Sequence, residues 1–200
     1  PIKAYINKTQ AVLLDKLNTS LIREMWDKYC MGSISKWEMD SINCYIHTHE
    51  LADLDMNYLG FSNFGLLGQT PNIERYVFIK GKQIPLFKLE RICGTVIDKN
   101  KQKKTVTIIT NDGYVVLVKA FGVFEQYDKQ ISEIGDDGKK HVIEKSMFKR
   151  GNKIIVTGIR RDDDFIAKTY SRTPYHKIEQ IIHVNDSKDI VIKRERGEVK

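Results

Sequence analysis

The 200-residue sequence has no apolar run near the roughly 20 residues that a bilayer-spanning helix needs. That excludes a membrane-spanning helix, and no membrane partner is expected. The N-terminus lacks a basic stretch followed by an apolar one, so no signal peptide is read there. Cysteines number three, and Cys30, Cys44 and Cys93 show no CxxC spacing. They read as buried free thiols of a reducing cytoplasm, with a disulfide between two of them the weaker alternative. The chain begins at Pro1 without a methionine, which is read as a piece of something longer.

Charge is plentiful but unevenly placed. The net charge is +7. Residues 1–85 carry 9 basic and 9 acidic side chains, whereas residues 86–200 carry 24 basic and 17 acidic. All of the excess therefore lies in the second part, as expected of a segment that faces a polyanion. A domain division follows the same line: a helical segment and linker over 1–70, and a second domain over 71–200.

Apolar positions in the first part recur at helical spacing, through Val12, Leu13, Leu17, Leu21, Ile22 and Met25. Asn18-Thr19-Ser20 offers a break, which predicts two helices over 4–17 and 20–30, with Gly32 ending the second. A third helix starts at Ser35, where Ser35 and Glu38 have capping-box spacing. His47, His49 and Glu50 invite a zinc reading. The histidines are two apart with the Glu outside the pair, unlike the four-apart spacing of helical zinc motifs, so a structural role is preferred. From Leu51 to Pro71 the pattern decays into a linker.

After Pro71 the period changes to two. Strands are expected over 74–80, 87–98, 105–110 and 114–119. Gly94 marks a bend or bulge in the long one, and Asn111-Asp112-Gly113 forms a hairpin turn. A short helix spans Phe121 to Ile131, and Gly135-Asp136-Asp137-Gly138 forms the tip of a hairpin running to Glu144. Two more strands, 153–160 and 165–170, flank Asp162-Asp163-Asp164. Three consecutive aspartates in a turn point apart, so they are read as turn and not as catalytic carboxylates. Three strands, a helix and two strands is the order of an OB-fold, giving an α+β class overall: an N-terminal helical segment followed by a five-stranded OB-fold β-barrel.

Binding of an unpaired strand needs cations for phosphates and aromatic rings for bases. Candidate cations are Lys99, Lys101, Lys103 and Lys104 around the first barrel loop, Lys149, Arg150 and Lys153 before strand four, and Arg160 with Arg161. Candidate stacking rings are Phe121, Tyr127, Phe165 and Tyr170. Phe121 and Tyr127 read first as the hydrophobic plug of the barrel. Each lysine taken singly reads as a solvated turn; three basic clusters on one fold carry the case.

Two segments resemble a known family. Trp37-Glu38-Met39-Asp40-Ser41, Tyr45 and His49-Glu50-Leu51 look like the region preceding the OB domain of bacterial and phage-type replicative DNA polymerases, the DNA polymerase III alpha subunit. Gly94-Thr95-Val96-Ile97-Asp98-Lys99, Val106-Thr107, Asp112-Gly113, Gln130-Ile131-Ser132-Glu133, Arg150-Gly151 and Val156-Thr157-Gly158 are similar to its OB strands. The resemblance covers roughly residues 20–170. It implies a non-catalytic region that holds single-stranded template, with the rest of the polymerase chain as partner. The catalytic aspartates and their two divalent ions, Mg in type, would belong to a palm elsewhere in the parent polymerase, and no cofactor is expected in this chain. Clamp or other replisome contacts are implied only weakly, because the nearest clamp-like segment, Asn63-Phe64-Gly65-Leu66-Leu67, lacks the Gln. Two other readings remain: a protein-interaction module docking replisome components, and an independent single-strand-binding protein. Residues 178–200 read as one or two strands and a charged tail.

Overall fold

The computed structural model describes residues 2–29, 33–134, 139–185 and 188–194, without the side chains of 2–8, 11 and 26–29. The first part is helical. One continuous helix, α1 (Ile2–Tyr29), replaces the two expected. The polar break fails because Thr19 Oγ1 and Ser20 Oγ donate to the carbonyls of Asp15 and Lys16, four residues back, and so stay within the helix. The apolar side chains Leu13, Leu17, Leu21, Ile22 and Met25 remain exposed. Gly32 and Cys30 lie outside the described residues.

Helix α2 (Ile34–Ile42) is capped by Ser33, whose Oγ accepts from the amide of Lys36; Ser35 is not the cap. Ser35 is buried and donates to the carbonyl of Thr48. Glu38 does not close a capping box either. Its carboxylate accepts from the amides of His47 and Ile46 and meets His47 Nδ1 at 2.5 Å. Those bonds, led by the His47 amide, hold its carboxyl below the ordinary range. Asn43 ends α2 in the left-handed region, a conformation Asn tolerates.

The segment from 49 to 67 is packed against the sheet. Leu51, Leu54 and Phe61 form a cluster with Cys93, Ile155 and Ile181. His49 anchors this joint: its Nδ1 accepts from the Leu51 amide at 3.0 Å and its Nε2 lies 3.1 Å from Thr95 Oγ1, which also meets Tyr45 OH at 2.9 Å. An accepting Nδ1 fixes the neutral tautomer with the proton on Nε2. Burial and the nearby Lys153 charge push the His49 pKa down to about 4. Burial likewise raises the Tyr45 phenol well above its usual value.

Strands β1 (Ile73–Ile79) and β2 (Lys82–Phe87) form a separate hairpin around Lys80 and Gly81, both at positive φ. β2 is an addition to the sequence expectation. The barrel comprises β3 (Glu90–Asn100), β4 (Thr105–Thr110), β5 (Val115–Lys119), β8 (Lys153–Arg161) and β9 (Asp164–Ala167). Strand β3 pairs antiparallel with β4 and β8, β4 with β5, β5 in parallel with β9, and β9 with β8. That circuit closes a five-stranded OB barrel.

The register slips between Val96 and Asp98, so the bulge lies beyond Gly94. Gly94 instead permits close approach: a Cβ there would collide with the Ile109 carbonyl. Gly158 does the same against the Ile166 carbonyl where β8 meets β9.

Between β5 and β8 come α3 (Phe124–Asp128), shorter than expected, and a hairpin of β6 (Ile131–Ile134) and β7 (Lys140–Glu144). The glycine-aspartate tip of that hairpin lies outside the described residues. Phe124 of α3 plugs the barrel against Phe148, with Tyr127 beside it. Strands β10 (Ile178–Val184) and β11 (Ile190–Lys193), in the stretch expected to hold one or two strands, extend the sheet from β8. Cys93 is buried near Met56 and Asn111, and burial pushes its thiol up to about 12. Cys44 is exposed rather than buried.

Candidate nucleic-acid interface

Asn100 shapes the β3–β4 loop by accepting the Lys103 amide on its Oδ1 at 2.9 Å, and Lys104 closes the turn at φ 54°. The loop's lysines are not equivalent. Lys99 is bound to Asp128, and Lys101 lies 3.5 Å from the other Asp128 oxygen. Burial opposes ionisation of Asp128, but hydrogen bonds from Lys99 and Ser146 and the charges of Lys99 and Lys101 outweigh it and lower its pKa. Lys104 pairs with Glu125. Lys103 is exposed and has no ion pair among the described residues.

The second basic group divides as well. Lys153 pairs with Glu50 at 2.5 Å, which ties β8 to the N-terminal segment. Lys149 and Arg150 are exposed in the loop before β8, which turns at Gly151. Arg160 is structural: its Nη1 donates to the carbonyls of Phe64 and Leu67, both at 2.8 Å, and its guanidinium covers the Phe64 ring at 4.2 Å. Arg161 is exposed at the β8–β9 turn, where Asp164 pairs with Lys119 at 2.5 Å. The clamp-like segment is held by the same arginine, with Phe64 in the barrel core and Leu66 exposed.

The aromatic candidates separate by burial. Phe165 is fully buried and Tyr127 nearly so, its phenol pushed up by burial. Neither offers a ring face to solvent. Tyr170 is half-buried, accepts the Phe87 amide on its hydroxyl and lies under Lys168. Phe121 is 57% exposed, next to Ala120, whose amide donates to the Lys104 carbonyl. It therefore stands beside the lysine loop rather than in the plug, a place taken by Phe124.

Lys99, Lys149 and Arg150 converge on one groove of about 490 Å³, floored by Ile97, Phe148 and Val142. Lys145 also lines it. Gln130 belongs both to this groove and to a second cavity of about 660 Å³ that gathers Lys129, Lys140, His176 and Arg194, with no carboxylate among the described residues that line it. Lys145, Lys129, Lys140 and Arg194 escaped the sequence reading, because the folded-back β6–β7 hairpin and β11 create these walls. Arg161 and Tyr170 line neither cavity. Among the described residues no three His, Cys, Asp or Glu side chains are grouped to hold a metal.

The fold and the groove define an OB-fold barrel, preceded by helices, with a run of cations along one side. The chain is 36% identical over 199 residues, 99% of its length, to "Probable DNA polymerase YorL" of Bacillus subtilis (strain 168). It shows the same 36% identity to the "DNA-directed DNA polymerase" of Bacillus phage SPbeta. It spans only 15% of the length of each. The chain is thus homologous to one segment of these DNA polymerases. No protein-family model and no solved structure matches it.

Proposed function

We propose that this chain is the single-stranded-DNA-binding region of a replicative DNA-directed DNA polymerase related to the DNA polymerase III alpha subunit. On this reading it holds template and leaves nucleotidyl transfer, with its two divalent ions, to a palm elsewhere in the polymerase. The rest of the polymerase chain is its partner, and the bacterial or phage-infected cytoplasm its setting. The match of nearly this whole chain to one segment of DNA polymerases carries the proposal. The basic groove supports its strand-binding part: phosphates would follow Lys103, Lys149 and Arg150 toward Gln130 and the second cavity, and Phe121 would stack on a base.

Titrating labelled single-stranded and duplex oligonucleotides over a range of salt tests this. Three phosphate contacts give a slope of about −2 in log K against log salt, or roughly a 20-fold loss from about 50 to about 200 mM. Affinity that ignores salt, or that survives Lys149→Glu with Arg150→Glu unchanged, would overturn the strand-binding assignment.

A second reading, a module that docks other proteins of the replication machinery, is favoured by the exposed apolar side chains of α1. Replacing Lys101, Lys103 and Lys104 with Glu separates the two. Unchanged DNA affinity supports docking.

A further inference from the structure

Away from the groove, three buried polar atoms among the described residues have no hydrogen-bond partner: Arg91 Nε, Thr157 Oγ1 and Glu179 Oε1. Arg91 of β3 and Thr157 of β8 are register partners. Arg91 is 9% exposed and Thr157 fully buried, yet Arg91 Nε and Thr157 Oγ1 make no hydrogen bond. Such atoms are rare in folded proteins and ask for an explanation.

The Arg91 guanidinium cannot turn to relieve this. Its Nη2 donates to the buried Glu179 at 2.7 Å, and it is held between the rings of Phe61 at 4.9 Å and Tyr175 at 4.1 Å. Arg194 Nε approaches the other Glu179 oxygen at 2.9 Å, without the alignment of a hydrogen bond.

Both residues line a cavity of about 410 Å³ between the start of β3, the middle of β8 and the 170–175 loop. The space far exceeds the roughly 30 Å³ of a single bridging water. An arginine Nε only donates, and the threonine hydroxyl can donate, so the missing group is an oxygen acceptor. The lining adds Arg75, Lys88 and Arg172 against Glu74 and Glu90. Lys88 is paired with Glu90 at 2.9 Å, which leaves Arg75 and Arg172 against Glu74, an excess of one positive charge at the rim.

We propose that this cavity binds a phosphate monoester, through Arg91 Nε and Thr157 Oγ1 at its base and Arg75 and Arg172 at its rim. The phosphate belongs either to a free nucleotide or to a DNA 5′ end. Tyr170 and Tyr175 in the lining supply ring faces for an attached base. The cavity shares no lining residue with the basic groove, so the proposal does not rest on strand binding there.

The test is calorimetric titration of the 200-residue chain with inorganic phosphate, dAMP, and matched oligonucleotides bearing a 5′ phosphate or a 5′ hydroxyl. Thr157→Val keeps the shape and removes the hydroxyl. It should weaken phosphate-ester binding at least tenfold and leave the salt-dependent binding of 5′-hydroxyl oligonucleotide unchanged. Arg172→Glu, an exposed change that does not threaten folding, should weaken it similarly. Tighter binding of dAMP identifies a nucleotide site, and preference for the 5′-phosphorylated oligonucleotide identifies a strand-end site. The proposal is overturned if neither phosphate nor any phosphate ester binds saturably. Binding that both substitutions leave intact would overturn it equally.

Discussion

Acidification should loosen the joint between the N-terminal segment and the barrel, and His49 sets the size of the effect. In the folded chain its pKa is about 4, against 6.5 for the free side chain. The folded state therefore disfavours the protonated ring, while the unfolded state accepts the proton below pH 6.5. Stability is intact above that value and is lost as pH falls from 6.5 toward 4, where the loss levels off. Each pKa unit corresponds to about 1.4 kcal/mol, so linkage gives a loss of about 1.4 kcal/mol at pH 5.5 and about 2.6 kcal/mol at pH 4.5. His49→Gln removes the titration, and subtracting its curve cancels the groups common to both proteins. Urea unfolding at pH 7.5, 6.5, 5.5 and 4.5 measures both. The wild-type advantage should shrink by about 2.5 kcal/mol across the series. Parallel curves for the two proteins would refute the argument that a buried neutral imidazole holds the joint.

Two substitutions probe how the barrel is closed. Gly158→Ala places a methyl group against the Ile166 carbonyl, a backbone atom that cannot swing aside. It should destabilise by about 3 kcal/mol in thermal melts, at the upper end for overpacking, and an unchanged Tm would contradict the contact. Arg160→Ala strips the Leu67 carbonyl of its guanidinium partner and uncovers the Phe64 ring. A loss of about 2–3 kcal/mol is expected. A loss below about 0.5 kcal/mol would show that the 64–67 turn holds without it.

Turn chemistry and period carried most of the barrel. Asn111-Asp112-Gly113 lies between β4 and β5, and β4, β5 and β9 alternate between core and surface, whereas β3 and β8 are buried along most of their length. Misreadings arose where a polar side chain had a choice of partners. Thr19 and Ser20 can cap a helix or bond back within one, and Ser33 and Ser35 compete for one cap; only the tertiary surroundings decide. Strand β2 was missed because Pro85 and a turn-like start weaken its signal.

For the site, the cations were legible as residues and their partners were not. Asp128 is 29 positions from Lys99, and the Phe64 carbonyl is 96 from Arg160. Both pairings turn a candidate phosphate ligand into an internal tie, and neither has a local signature. The interior alternation of β9 places Phe165 inside the barrel, a cue present in the sequence.

The Arg160 tie also bears on the order in which the chain can acquire its structure. The turn at 64–67 precedes every barrel strand in sequence, yet the side chain that secures it arrives with the eighth strand. The Arg91–Glu179 pair spans 88 residues in the same manner. Such long-range closures cost loop entropy before their contacts repay it, a cost that grows slowly with separation, and they slow folding. During synthesis, then, the segment leading into the barrel must wait, its apolar side chains uncovered, until the ribosome has delivered nearly the whole sheet.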